Sequence, residues 1–301
     1  MSSFAAALAA GPIVLDGGLG TLLEEHGHDL TSSLWSARLL LEEPDAIRRA
    51  HLEYFHAGAR VAITSSYQVT HTGLAAAGLS RPEVDDALSR SVELAGQARE
   101  AAGLSADEAW VAASVGPYGA SLADGSEYTG AYGLDVRRLR EWHRPRLHAL
   151  AAAEPDAIAV ETVPSLAELE AVCRELDGIG VPTWVSVTIA DGALRSGDPL
   201  EEAFAMAASV PDVVAIGVNC CDTGEVTGAL AALGSVRPGV VYPNSGEEWH
   251  ADSRSWSGAR SGIASGTAAW VAGGARLVGG CCRVGPGQIR EIATAVASLN
   301  A

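Results

Sequence analysis

The chain has 301 residues, 48% of them hydrophobic and 19% charged, and a formal net charge of -17. It contains no lysine and only scattered arginines, so it lacks the basic face that a nucleic-acid partner requires. No stretch is apolar enough to span a membrane, and Met1 to Ala10 lacks the basic start of a signal peptide, so a cytoplasmic protein is expected.

Short β-branched runs alternate with longer helical patterns along the whole chain. Ile13-Val14-Leu15 is the first strand candidate, followed by a helix from about Pro44 to His56, with the proline near its first turn. Val61 to Ile63 precedes a helix over about Pro82 to Ala102. Trp110 to Ala113 precedes one over Asp135 to Ala153, and Ala157 to Val160 one over Ser165 to Leu176. Thr183 to Val187, Val213 to Val218, Val240 to Tyr242 and Ala275 to Val278 are each followed by a further helix. The last four helices run over about Pro199 to Ser209, Gly224 to Leu233, Gly258 to Ala272 and Pro286 to Ser298.

Strands apolar on both faces are parallel strands covered by helices. Eight such units in this length predict an α/β protein of a single domain over residues 1–301, a (β/α)8 TIM barrel. An open doubly wound sheet is the competitor. Asp16-Gly17-Gly18-Leu19-Gly20 lacks the full glycine spacing that fold uses, and no helix pattern is evident directly behind it. Two long loops, Ser114 to Leu134 and Tyr242 to Trp256, are of the length that usually carries function.

In a barrel the chemistry sits where the strands end. The residues there are Asp16, Thr64 to Tyr67, Gly116 to Tyr118, Glu161-Thr162, Thr188, Asn219-Cys220-Cys221, Asn244 to Gly246 and Cys281-Cys282. Four of the five cysteines therefore form two adjacent pairs on one rim, an arrangement that argues against a disulfide framework. Cys220, Cys281 and Cys282 are the expected ligands of one metal ion, zinc by the softness of the donors. Three thiolates leave a fourth position open, which suits holding a substrate thiol as thiolate. Cys221 is an alternative ligand, and Cys173, in a helix, reads as core.

Asp16 and Glu161 are placed to accept hydrogen bonds from a substrate ammonium group. The amides around Gly17 and Gly18 are placed to approach an anion. Ser65, Asn219 and Asn244 join them as substrate-binding candidates. Ser65 has no His–Asp support, so serine nucleophilic catalysis is not expected. His26 and His28 read as solvated, and His51 and His56 as surface or interface residues. Trp249 and Trp256 offer either loop packing or a face for a cationic substrate. Without a lysine, Schiff-base chemistry is excluded.

These motifs together resemble the homocysteine S-methyltransferases. The likeness rests on Leu15-Asp16-Gly17-Gly18-Leu19-Gly20-Thr21, Thr64-Ser65-Ser66-Tyr67-Gln68, Ser114-Val115-Gly116-Pro117-Tyr118-Gly119, Leu122 to Tyr128, Glu161-Thr162, Gly217-Val218-Asn219-Cys220, Tyr242 to Glu247 and Gly279-Gly280-Cys281-Cys282-Arg283. The Gly-Pro-Tyr-Gly and Ala-Asp-Gly-Ser-Glu-Tyr stretches look like the branch using S-methylmethionine or S-adenosylmethionine. The resemblance implies a zinc-dependent barrel that methylates L-homocysteine to methionine, with Cys220, Cys281 and Cys282 on the zinc. Asp16 and Glu161 would hold the substrate amino group, and the amides around Gly17 and Gly18 its carboxylate. The homocysteine thiolate would attack a sulfonium methyl, with no separate general base. Alternatives are a closed four-cysteine zinc or thiol-binding protein, or a methyltransferase using a betaine-like donor or a corrinoid or folate partner. The oligomeric state is not readable.

Overall fold

The computed structural model describes residues 4–30, 35–250, 255–258 and 262–299. Eight parallel strands form the sheet: β1 (Ile13–Val14), β2 (Val61–Ile63), β3 (Trp110–Val115), β4 (Ala157–Val163), β5 (Thr183–Val187), β6 (Val213–Asn219), β7 (Gly239–Tyr242) and β8 (Ala275–Val278). The spatial order is β1-β8-β7-β6-β5-β4-β3-β2. A parallel bridge between Leu15 and Val61 joins the two ends of that order and closes the barrel. The Arg60 N–H to Val14 carbonyl bond (2.8 Å) and the Asp16 N–H to Val61 carbonyl bond (3.1 Å) flank it.

The principal covering helices are α1 (Pro44–His56), α2 (Arg81–Ala101), α3 (Val136–Ala152), α4 (Leu166–Leu176), α5 (Leu200–Ala208), α6 (Glu225–Leu233), α7 (Ile263–Ala272) and α8 (Pro286–Leu299). Local chemistry sets several starts. Pro44 occupies the first turn of α1, where a missing N–H costs nothing. Ser80 and Glu83 form a capping box on α2. Asp135 accepts from the Arg138 N–H at the start of α3, and Ser165 caps α4. Asp135 and Ser165, expected inside their helices, are thus the caps.

Two apolar layers result. One lies between the sheet and the helices; the other fills the barrel. In the inner layer Trp110, Trp184 and Tyr242 interlock with the small Ala112, Ala157, Ala159 and Ala215, which is how a barrel interior fills without voids. A short helix, Phe4–Ala10, seals the end where the strands begin. Phe4 sits 6.0 Å from both Trp110 and Trp184, ring centre to ring centre.

The expectation that no helix follows the glycine loop is corrected. A seven-residue helix, Leu19–Glu25, starts directly after Gly18 and buries Leu22 and Leu23. Its brevity hides its periodicity. The loop after β3 contains two single-turn 3-10 segments, Gly119–Ser121 and Ser126–Tyr128. The loop after β7 carries an antiparallel hairpin, Glu248–His250 with Ser255–Ser257, in which Trp249 and Trp256 are register partners. The expectation for those two side chains lies outside the described residues.

Candidate active site

The sulfurs of Cys220, Cys281 and Cys282 all lie within 4.8 Å of one another, and they are the one such potential metal-binding group among the described residues. Cys220 leaves the end of β6 with φ 49°, a left-handed turn costly for a side chain with a Cβ. Its neighbour Cys221 goes instead into the layer between sheet and helices, fully buried among apolar residues, and burial pushes its thiol far above the usual range. Cys173 is also in that layer, its thiol pushed up to about 12 by burial.

Cys281 and Cys282 follow β8 through Gly279-Gly280. A Cβ on Gly280 would meet Val284 Cγ1 at 2.2 Å, so only glycine allows the chain to fold back tightly enough to present both thiols. The Cys220–Cys282 and Cys281–Cys282 sulfur separations are 3.7 and 3.9 Å. Thiolates about 2.3 Å from a shared tetrahedral ion would stand about 3.8 Å apart, so these two edges fit a metal. The third, Cys220 to Cys281, is 2.6 Å and must open for the ion to enter. Hydrogen bonding with Cys220 and Cys281 holds the Cys282 thiol well below its ordinary range, so the cluster favours a thiolate at this corner.

Asparagines frame this corner. Asn244 Oδ1 accepts from the Cys282 N–H at 3.2 Å, and the Asn244 N–H donates to the Cys221 carbonyl. The Asn219 amide is fully buried and clasps Thr162: its Oδ1 accepts from the Thr162 N–H (2.7 Å) and its Nδ2 donates to Thr162 Oγ1 (2.8 Å). Thr162 sits at φ 61° in the irregular stretch of β4, where pairing with β5 shifts register. Both asparagines are expected to touch substrate; in the structure Asn219 spends its side-chain amide on Thr162, and Asn244 Oδ1 is taken by the Cys282 N–H.

Asp16 and Glu161 face the same mouth from β1 and β4. Asp16 is 1% exposed; its Oδ2 accepts from the Ile63 N–H at 2.8 Å, and its Oδ1 has no partner. Burial pushes its carboxyl well above the usual range, and the nearby Glu161 adds to the rise. Glu161 accepts a short hydrogen bond from the Ser114 hydroxyl, yet burial still pushes it up to about 7. Neither carboxyl is paired with an arginine among the described residues. Ser65 Oγ, also buried, has no partner.

Gly17 and Gly18 are required by contact: a Cβ on Gly17 would meet the Val284 carbonyl at 2.3 Å, and one on Gly18 the Cys281 carbonyl at 2.6 Å. The Gly18 N–H already donates to Val284, so this amide is tied to the β8 loop rather than offered to an anion. Tyr54 Oη donates within reach of the Gly18 and Val284 carbonyls, at 2.9 and 3.1 Å.

Several site residues escaped the sequence reading. Tyr128 comes down from the loop after β3 and its hydroxyl reaches Cys220, while Glu127 beside it is partly buried, and that burial pushes its carboxyl upward. Arg195 lies over the Tyr128 ring at 5.6 Å. Beneath the same loop, buried Glu168 accepts from His143 Nε2 (2.8 Å) and from the Tyr118 N–H (2.5 Å), and Arg146 donates to the Gly116 carbonyl. His51 is the clearest correction. It is fully buried, with Nδ1 4.0 Å from Asp16 Oδ2, not a surface residue. Its position in the apolar stripe Ile47, Ala50, His51, Tyr54 was the available signal. His26 and His28 do lie by surface carboxylates, Glu53 and Glu43.

The model of the homocysteine S-methyltransferase family matches residues 13–296. The chain belongs to this family. Homocysteine S-methyltransferase 4 of Zea mays is 45% identical, covering 96% of this chain and 90% of the relative. Homocysteine S-methyltransferase of Escherichia coli is 45% identical over 93% of this chain and 94% of the relative. The crystal structure of the metallated homocysteine methyltransferase MmuM from Escherichia coli superimposes with a TM-score of 0.84, at 42% identity, covering 94% of this chain and 96% of that one. The family member described here is a methyltransferase on a (β/α)8 barrel, and its three-cysteine cluster suits a metal ion. No described helix is long and apolar enough to cross a membrane.

Proposed function

We propose that the protein transfers a methyl group from a sulfonium donor, S-methylmethionine or S-adenosylmethionine, to L-homocysteine, with zinc held by Cys220, Cys281 and Cys282. The observation that carries this reading is one mouth holding three converging sulfurs beside two buried, cation-free carboxyls. Zinc bound there would supply a fourth coordination position that keeps an added sulfur ionised at neutral pH.

The chain's own residues do the rest. Asp16 Oδ1 and the Glu161 carboxylate accept from the substrate ammonium, which relieves their mutual repulsion. Asn219 and Thr162 fix the bend that aims Glu161, and Asn244 fixes the Cys282 backbone. Tyr128 and the loop after β3 cover the thiols and exclude water. The homocysteine sulfur attacks the methyl carbon in line; the bond to the donor sulfur breaks, and its electron pair stays there. The donor's positive charge disappears in that step, so the acidic surroundings of the thiols would draw the donor in but release its neutral product. Holding both partners in line is worth several kcal/mol, on the order of 7 or more where alignment is good. A sulfonium is the donor class this charge pattern favours.

The test is metal analysis paired with mass detection of methionine from L-homocysteine and each donor. Cys282→Ser should lose the metal and at least a thousandfold in turnover while keeping its circular dichroism. Undiminished turnover in metal-free Cys282→Ser protein would sink the reading.

A further inference from the structure

We propose that His51 is a positioning residue for the substrate's amino group: with the amino acid bound, it donates from Nδ1 to Asp16 Oδ2. This rests on the reading of Asp16 as an ammonium anchor.

Both ring nitrogens of His51 lack a hydrogen-bond partner, although the residue is 0% exposed. Buried polar groups are rarely left so, because an unmade bond there costs a large part of the group's desolvation. The ionisable atom that faces it is Asp16 Oδ2, 4.0 Å from Nδ1. That is too long for a hydrogen bond and about an ångström from a good one. The carboxyl is already half-fixed, since Oδ2 accepts from the Ile63 N–H while Oδ1 stays unpartnered. A second donor on Oδ2 would hold the carboxylate from behind and leave Oδ1 for the incoming cation.

The helix is built to deliver this. His51 and Tyr54 stand one turn apart on the buried face of α1. Tyr54 grips the Gly18 carbonyl at the same strand end, so the helix already holds the turn that follows Asp16. Burial keeps the imidazole neutral, with its pKa lowered to about 4, which suits a donor that must not repel an ammonium group. The pull that closes the gap is the ammonium itself: it favours the ionised Asp16, and an ionised carboxylate is the stronger acceptor.

The experiment compares L-homocysteine with 4-mercaptobutyrate, which has the thiol and carboxylate but no amino group. The wild-type protein should prefer homocysteine. His51→Leu should narrow that preference about tenfold, mainly through KM for homocysteine, and His51→Asn, which returns an N–H near Nδ1, should recover most of it. His56→Gln, on the exposed side of the same helix, is the control. An undiminished preference in folded His51→Leu overturns the proposal. A wild-type protein with no preference would instead indict the Asp16 reading. A direct readout stands beside these: in wild-type protein with 15N-labelled histidine, one ring N–H signal absent from His51→Asn should move downfield on saturation with L-methionine. No movement of that signal would equally overturn the proposal.

Discussion

Two acids buried near one another without a counter-charge are a liability that a bound proton or a cationic guest would relieve. Glu161 makes this measurable. Its folded-state pKa of about 7 lies above the ordinary 4.5, so the folded protein binds the proton more tightly than the unfolded chain. That contribution to stability is complete below about pH 4.5 and is lost as pH rises through about 7. The span is worth roughly 3 kcal/mol. Urea titrations of the unliganded protein should show the wild type losing stability over this range relative to Glu161→Gln. Binding runs the other way. A protonated Glu161 accepts poorly from ammonium, so kcat/KM for homocysteine should fall as pH drops below about 7. Glu161→Gln should flatten that limb and weaken homocysteine binding by about tenfold or more. A limb of unchanged steepness in the variant would assign it to another group.

At the scale of the element, the end of β4 is a strand bent on purpose. Thr162 at φ 61° is an unfavourable place for a β-branched residue, and the Asn219 amide, projecting from β6, holds it there. Asn219→Ala should cost about 2–4 kcal/mol in denaturant titrations, because two buried bonds vanish while the strained backbone remains. It should also depress kcat/KM more than it depresses metal content, since the cysteines keep their own supports. Equal loss of both would mean the asparagine serves the metal corner instead. This clasp marks the boundary of what the sequence discloses. A β-strand with two apolar faces reads directly from composition, so the eight strands and the rim residues Asp16, Glu161, Cys220, Cys281 and Cys282 were legible. The preference for Cys220 over Cys221 follows from Cys220 directly succeeding the strand, but the backbone angle that turns it inward does not, and the partners of Asn219 and Asn244 come from other strands. None of these has a periodicity. His51 did carry a sign, a polar residue inside an apolar stripe, but its meaning comes only from Asp16 lying opposite.

Across the whole molecule, stability and chemistry occupy opposite ends of the barrel. Trp110, Trp184 and the Phe4 ring close the lower end, while the thiols and carboxyls ring the upper one. Phe4→Ala should therefore cost about 3 kcal/mol by emptying an aromatic contact, yet leave KM for both substrates within twofold in the fraction that stays folded. A large change in KM would show that the plug and the mouth are mechanically coupled. The acidic balance, net -17 without a single lysine, acts over longer range and would favour arrival of the proposed sulfonium donor, an advantage that salt should erode.

The stopper helix also sets an orientation. Because Phe4 to Ala10 lies against the floor, a tether attached through this helix would be anchored at the end of the barrel away from the three cysteines. Molecules fastened to a bead or a chip by that route would stand upright, with their openings turned toward the bath and unobstructed by the support.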